Sequence, residues 1–125
     1  MISNTKRAVV LFAHGSRDPL WHKPMEAVAA QIANGSSGME VCCAYLELSQ
    51  PDLPTACQRL LDSGVTHIAV LPMFLGVGRH AREDLPLLVE QLRTRHPAVV
   101  FELRPAVGED PRLIALLAQI AADPG

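Results

Sequence analysis

Short apolar runs alternate with amphipathic stretches along this chain. Arg7–Ala13 (RAVVLFA) is continuously apolar and gives way to Gly15, the pattern of a strand buried on both faces. Pro19 to Asn34 follows, with Met25, Val28, Ala29 and Ile32 at helical spacing and Gly35 as the stop. Met39–Leu46 predicts a second strand. Asp52–Ser63 puts Leu53, Ala56, Cys57, Leu60 and Leu61 on one helical face, and Gly64 closes it. Thr66–Leu71 reads as a third strand ending at Pro72. Arg82–His96 reads as a third helix, with Leu85, Leu88, Val89 and Leu92 on one side. Ala98–Leu103 is the fourth strand and Pro111–Ala122 the fourth helix. The default destination of Leu113, Ile114, Leu116, Leu117 and Ile120 in that helix is the core. Parallel neighbours need crossover helices, so four βα units predict an α/β fold. The expectation is a four-stranded parallel sheet flanked by helices, flavodoxin-like, as a single domain over residues 1–125.

Composition narrows the function classes. At 125 residues, with 49% hydrophobic and 19% charged, the chain is one domain's worth and is not a disordered tail. A formal net charge of −2 removes the usual electrostatic argument for a nucleic-acid or anionic-membrane partner. No apolar run approaches the roughly 20 residues of a membrane span, and the N-terminal segment lacks a signal-peptide pattern. The expected setting is cytoplasmic. Three cysteines, Cys42, Cys43 and Cys57, form neither an even-numbered framework nor a CxxC pair. They read as ordinary buried thiols, with Cys42 and Cys43 pointing to opposite faces of their strand.

In open α/β sheets ligands collect beyond the carboxyl ends of the strands. Strand one is followed there by His14-Gly15-Ser16-Arg17-Asp18, strand two by Glu47, and strand three by a loop leading to Gly78-Arg79-His80. Singly, each histidine reads as a turn or capping residue and Glu47 as a solvated carboxylate. Together they put two imidazoles and one carboxylate on one sheet edge, a mixed N/O set for a divalent ion such as Co²⁺, Fe²⁺, Ni²⁺ or Zn²⁺. Three ligands with open positions suit a metal that is handled rather than stored. Asp84, four residues after His80, is placed to accept the free imidazole N–H; its competing reading is a first-turn carboxylate favoured by the helix dipole. His22, His67 and His96 read as structural or solvent-exposed. Gly15 allows a sharp turn beneath His14, and Gly76 with Gly78 leave room for a large flat ligand. Neither GxGxxG nor a P-loop is present, and no GxSxG elbow supports Ser16 as a nucleophile. Arg17, Lys23, Arg79 and Arg82 surround the same edge, suggesting a carboxylate-bearing ligand; their plainer reading is a solvated rim.

These residues also match a known family. Leu11-Phe12-Ala13-His14-Gly15-Ser16-Arg17-Asp18-Pro19 resembles the opening motif of the CbiX/SirB group of class II tetrapyrrole chelatases. Leu46-Glu47 followed by Pro51 resembles its second motif, and Leu71-Pro72-Met73-Phe74-Leu75 with Gly78-Arg79-His80 and Asp84-Leu85-Pro86 its third. The likeness runs along essentially the whole chain, and the length resembles the family's short, half-cleft form. The resemblance implies a lyase, a sirohydrochlorin metallochelatase that inserts a divalent metal, Co²⁺ first, in cobalamin biosynthesis. It implies His14 and His80 as the metal-binding and catalytic pair with Glu47 assisting, and Ser16, Arg17 and Arg79 toward the tetrapyrrole. It implies a homodimer and no organic cofactor. A ferro- or nickel-chelatase on the same ring is the near alternative, and a non-catalytic metal or tetrapyrrole carrier the more distant one. A flavodoxin-like redox domain predicts a first loop rich in Ser, Thr and Gly, and His-Gly-Ser-Arg-Asp does not fit that pattern.

Overall fold

The computed structural model describes residues 5–35 and 38–125; residues 1–4, where the N-terminal segment read above begins, and 36–37 lie outside it. Four strands, β1 (Arg7–Ala13), β2 (Glu40–Tyr45), β3 (His67–Pro72) and β4 (Val100–Leu103), form one sheet in the order β2-β1-β3-β4. Every neighbouring pair is parallel. The helices are α1 (Lys23–Ala33), α2 (Leu53–Asp62), α3 (Arg79–Arg95) and α4 (Pro111–Ala122). The chain order thus places β1 and β3 centrally, where their Val, Leu, Ile and Ala side chains are covered on both sides.

Side chains alternate across the pleat, so each strand supplies two layers. Ala8, Val10, Phe12, Ile68 and Val70 face α2 and α3 and pack with Leu53, Cys57, Leu85 and Val89. Val9, Leu11, Ala13 and Ala69 face the other way, toward Met25 of α1. Cys42 packs against the first layer and Cys43 against the second. Burial pushes the Cys57 thiol up to about 12 and raises Cys42 and Cys43 as well, so none is a ready thiolate.

Local chemistry explains where the elements differ from the expected bounds. The stretch Pro19 to Asn34 is not one helix. Asp18 accepts the Leu20 N–H at 2.9 Å and opens a 3₁₀ turn over Pro19–His22 before α1 begins. Pro24 has no N–H to bond back to Leu20, so an unbroken helix through this point is disfavoured. Helix α3 starts at Arg79, three residues earlier than the spacing suggests, and runs through Pro86. Asp52 caps α2 through the Thr55 N–H at 2.9 Å, and Asp110 caps α4 through the Arg112 N–H at 2.9 Å. The largest departure is α4, none of whose residues is buried. Its leucines and isoleucines are not core.

Candidate functional site

The carboxyl edge of the sheet is assembled from the loops after β1, β2 and β3. The β1–β2 ladder continues past the strands, because the Leu46 N–H donates to the Ala13 carbonyl at 2.9 Å and the Glu47 N–H to the His14 carbonyl at 3.0 Å. That register sets His14 and Glu47 side by side. Their side chains meet, His14 Nε2 lying 2.9 Å from Glu47 Oε1. Gly15 makes the approach possible: it sits at φ +108°, and a Cβ there would lie 1.7 Å from the Glu47 carbonyl oxygen.

Both side chains of the pair are more than half exposed, so the contact contributes at most about 1 kcal/mol to folding. Its geometry is better suited to chemistry. With the proton on Nε2, His14 donates to the carboxylate and Nδ1 keeps a free lone pair. With a cation in place of that proton, the same two atoms become neighbouring ligands. Ligand atoms about 2.1 Å from an ion and at right angles sit about 3 Å apart, close to the observed separation.

Around the pair the two loops are clamped. The Ser16 N–H donates to Ser49 Oγ at 3.0 Å, and Ser49 Oγ–H donates back to the Ser16 carbonyl at 2.7 Å. His22 Nε2 reaches the same carbonyl at 3.1 Å and Ser49 Oγ at 3.3 Å. The His22 ring stands edge-on to Tyr45 with centroids 5.0 Å apart. Leu48 takes a left-handed φ of 64°, turning the chain between Glu47 and Ser49. Tyr45 is pushed up to about 12, chiefly by burial, which keeps it a neutral wall. Ser49 is a positioning residue that the sequence reading left unassigned, and His22, read as structural or solvent-exposed, takes the structural role. The available signal was the pair of hydroxyls, Ser16 and Ser49, each two residues beyond a candidate ligand.

His80 stands apart from the pair. It lies in the first turn of α3, capped by Gly78, and is exposed. Among the described residues, no three His, Cys, Asp or Glu side chains come together at metal-binding distance. The expected triad is therefore present as a built pair and a separate histidine. Asp84 does not hold His80: no hydrogen bond joins them, and Asp84 lines an open groove of about 490 Å³ with Asp52, Leu46, Pro54, Leu87 and Leu88. Two acidic walls make that groove unsuited to an anionic ligand. Arg17 and Arg82 are exposed, and Arg79 is paired with Glu83 at 3.1 Å. Ser16 is half-buried and engaged in the clamp, its Oγ accepting the Asp18 N–H at 3.0 Å.

The loop after β3 is anchored only at its start. The Met73 N–H donates to the Phe12 carbonyl at 2.7 Å, and the Gly108 N–H to the Phe74 carbonyl at 2.9 Å. A Cβ on Gly108 would lie 1.9 Å from the Leu75 carbonyl oxygen. Beyond that, Gly76 and Gly78 have open space where a Cβ would go. The packing of the fold requires neither glycine.

The CbiX family pattern matches residues 8–123. Among relatives, a sirohydrochlorin cobaltochelatase of Methanopyrus kandleri is 34% identical over 66% of this chain and 57% of its own. A sirohydrochlorin ferrochelatase of Bacillus subtilis is 29% identical over 87% of this chain and 42% of its own. The chain thus spans about half the length of these relatives. A solved structure described as a cobalamin biosynthesis CbiX protein from Marinobacter aquaeolei superposes with a TM-score of 0.78 at 33% identity, over 92% of this chain and 93% of that one. The sirohydrochlorin chelatase SirB of Bacillus subtilis subspecies spizizenii, solved in complex with cobalt, superposes with a TM-score of 0.80 at 25% identity, over 96% of this chain and 51% of that one.

Proposed function

The chain belongs to the CbiX family, and from that premise we propose that it is a sirohydrochlorin metallochelatase, a lyase inserting Co²⁺ into the ring. The observation that carries this reading is the His14–Glu47 pair, 2.9 Å apart at the carboxyl edge of the sheet and exposed to a large ligand. Fe²⁺ is the second reading for the metal, supported by the ferrochelatase name of the Bacillus subtilis relative.

A free tetrapyrrole must lose two pyrrole N–H protons as the metal enters, so chelation needs a base beside the metal. Glu47 and His80 present the ion to one face of the ring, with His80 brought in when the ring is seated. His14, which first holds the ion beside Glu47, is thereby released to take one pyrrole proton, and the second proton passes to solvent. Arg17, Arg79 and Ser16 serve the ring's anionic side chains, Arg79 by exchanging Glu83 for a substrate carboxylate. Orientation of ring against metal supplies the acceleration, with no covalent intermediate and no organic cofactor. The unit is a single chelatase domain over residues 1–125, cytoplasmic and working as a homodimer. Among the described residues no helix is long and apolar enough to cross a membrane.

The test is metal-free sirohydrochlorin mixed with Co²⁺, or with Fe²⁺ under anaerobic conditions, the absorbance change being followed against a protein-free blank. The expected result is multiple turnover that His14→Ala abolishes and His80→Ala strongly slows, in proteins that remain folded. A rate equal to the blank, with metal or ring still bound tightly, makes the protein a carrier instead.

A further inference from the structure

Leu48, directly after Glu47, is the one non-glycine residue with a left-handed φ among those described. Glycine, asparagine and aspartate take that conformation at little cost, whereas leucine is strained in it. Strain of this kind persists only where the surroundings hold it. Here Ser49 does so, through its two hydrogen bonds to Ser16. The turn alone would be better made by a smaller or more polar residue. Nor does the core account for the leucine, which packs with neither layer and is 53% exposed.

A second leucine stands at the same edge of the sheet. In the loop after β3, Phe74 packs on the core, but Leu75 is 69% exposed. It precedes Gly76 on the stretch that leads to His80. The edge therefore carries one uncovered leucine beside Glu47 and another on the approach to His80.

We propose that Leu48 and Leu75 are ring-contacting residues, which seat the apolar face of the tetrapyrrole over the His14–Glu47 pair. The proposal rests on the chelatase reading and names contacts that decide which ligand its site accepts. A tetrapyrrole with acidic side chains is apolar across its faces and anionic at its rim. Leucines beside the metal-presenting residues suit the face, as Arg17 and Arg79 suit the carboxylates. The left-handed turn then keeps an apolar side chain where only a ligand covers it.

The test is titration of metal-free sirohydrochlorin into the full chain without metal, followed by absorbance. KM and kcat for chelation, Co²⁺ affinity and Tm are measured beside it. Leu48→Asn keeps a residue that tolerates the left-handed turn and removes the apolar contact. Ring Kd and KM should rise about fivefold, roughly what half-burying a leucine is worth. Co²⁺ affinity and kcat should stay as in wild type, and Tm should be unchanged or higher because the strain is relieved. Leu75→Asn should weaken ring binding to a similar degree, and Leu48→Met should bind the ring nearly as well as wild type. Ring binding unchanged in both asparagine variants overturns the proposal. So does a loss in Leu48→Asn that comes with a lower Tm or an equal loss of Co²⁺ affinity, the mark of a residue that only shapes the turn. In either case a wild-type protein that still chelates leaves the chelatase reading standing. Wild-type protein that binds no ring overturns both.

Discussion

The His14 loop and the Glu47 loop are tied to each other by backbone, hydroxyl and imidazole hydrogen bonds, whereas the stretch from Gly76 to His80 is tied only into its own helix. The glycines tell the same story. Gly15 cannot carry a side chain, because its Cβ position overlaps the Glu47 carbonyl, while Gly76 and Gly78 face open space. One half of the candidate site is thus fixed by the fold before any ligand arrives, and the other half is left free to meet it. On the proposed function, a fixed pair would lower the ordering cost of holding an ion, and a histidine outside it would leave a broad, flat ring a way in.

Breaking the fixed half should have the largest effect. Gly15→Ala forces a β-carbon into the Glu47 backbone and strains a left-handed residue, so the two loops must separate. Metal affinity should fall about 100-fold, the upper end of what loss of a supporting shell costs, as read by Co²⁺ titration. Gly78→Ala meets no atom and should leave Co²⁺ affinity unchanged, which sharpens the contrast between the halves.

A milder break is Ser49→Ala, which removes the hydroxyl that both accepts from the Ser16 N–H and donates to the Ser16 carbonyl. Losing these bonds should cost about 1 kcal/mol in loop positioning. A roughly fivefold loss of Co²⁺ affinity should accompany it, with Ser49→Thr restoring most of the effect.

The smallest effect concerns α2, which follows the Glu47 loop. Asp52 caps it, and the hydrogen bonds to Thr55 hold the carboxyl below its ordinary value of 3.8. A depressed carboxyl contributes stability above its unfolded pKa and loses it as pH falls through its folded pKa. The cap should therefore be intact at neutral pH and weaken below about pH 4. Asp52→Ala should lower stability by about 1 kcal/mol at pH 7 and flatten the acid limb of the denaturation profile, whereas Asp52→Asn should keep most of the stability.

Much of the fold was legible in the sequence because buried parallel strands are short, continuous and apolar, and each is followed by a helix whose apolar face repeats at 3.6. What the hydrophobic pattern could not carry was local hydrogen-bond geometry: the break before Pro24, and the early start of α3 at Arg79, capped by Gly78. It also sent the apolar side chains of α4 to the core, since periodicity does not distinguish a buried face from one left for another surface. At the site, His14 and Glu47 were legible as residues just past their strands. Their contact depends on β1 and β2 being neighbours, which the order β2-β1-β3-β4 provides. The clamp of Ser49 and His22 was not legible, because it forms only once Leu48 turns left-handed and brings Ser49 back over Ser16.

The most direct test of the two-halves account is calorimetric titration of Co²⁺ into wild-type, His14→Ala and His80→Ala protein without tetrapyrrole. The account predicts that His14→Ala loses at least about tenfold in affinity, the lower end for removing a metal-site group, while His80→Ala binds nearly as well as wild type. Equal losses in both variants, or a loss confined to His80→Ala, would contradict it.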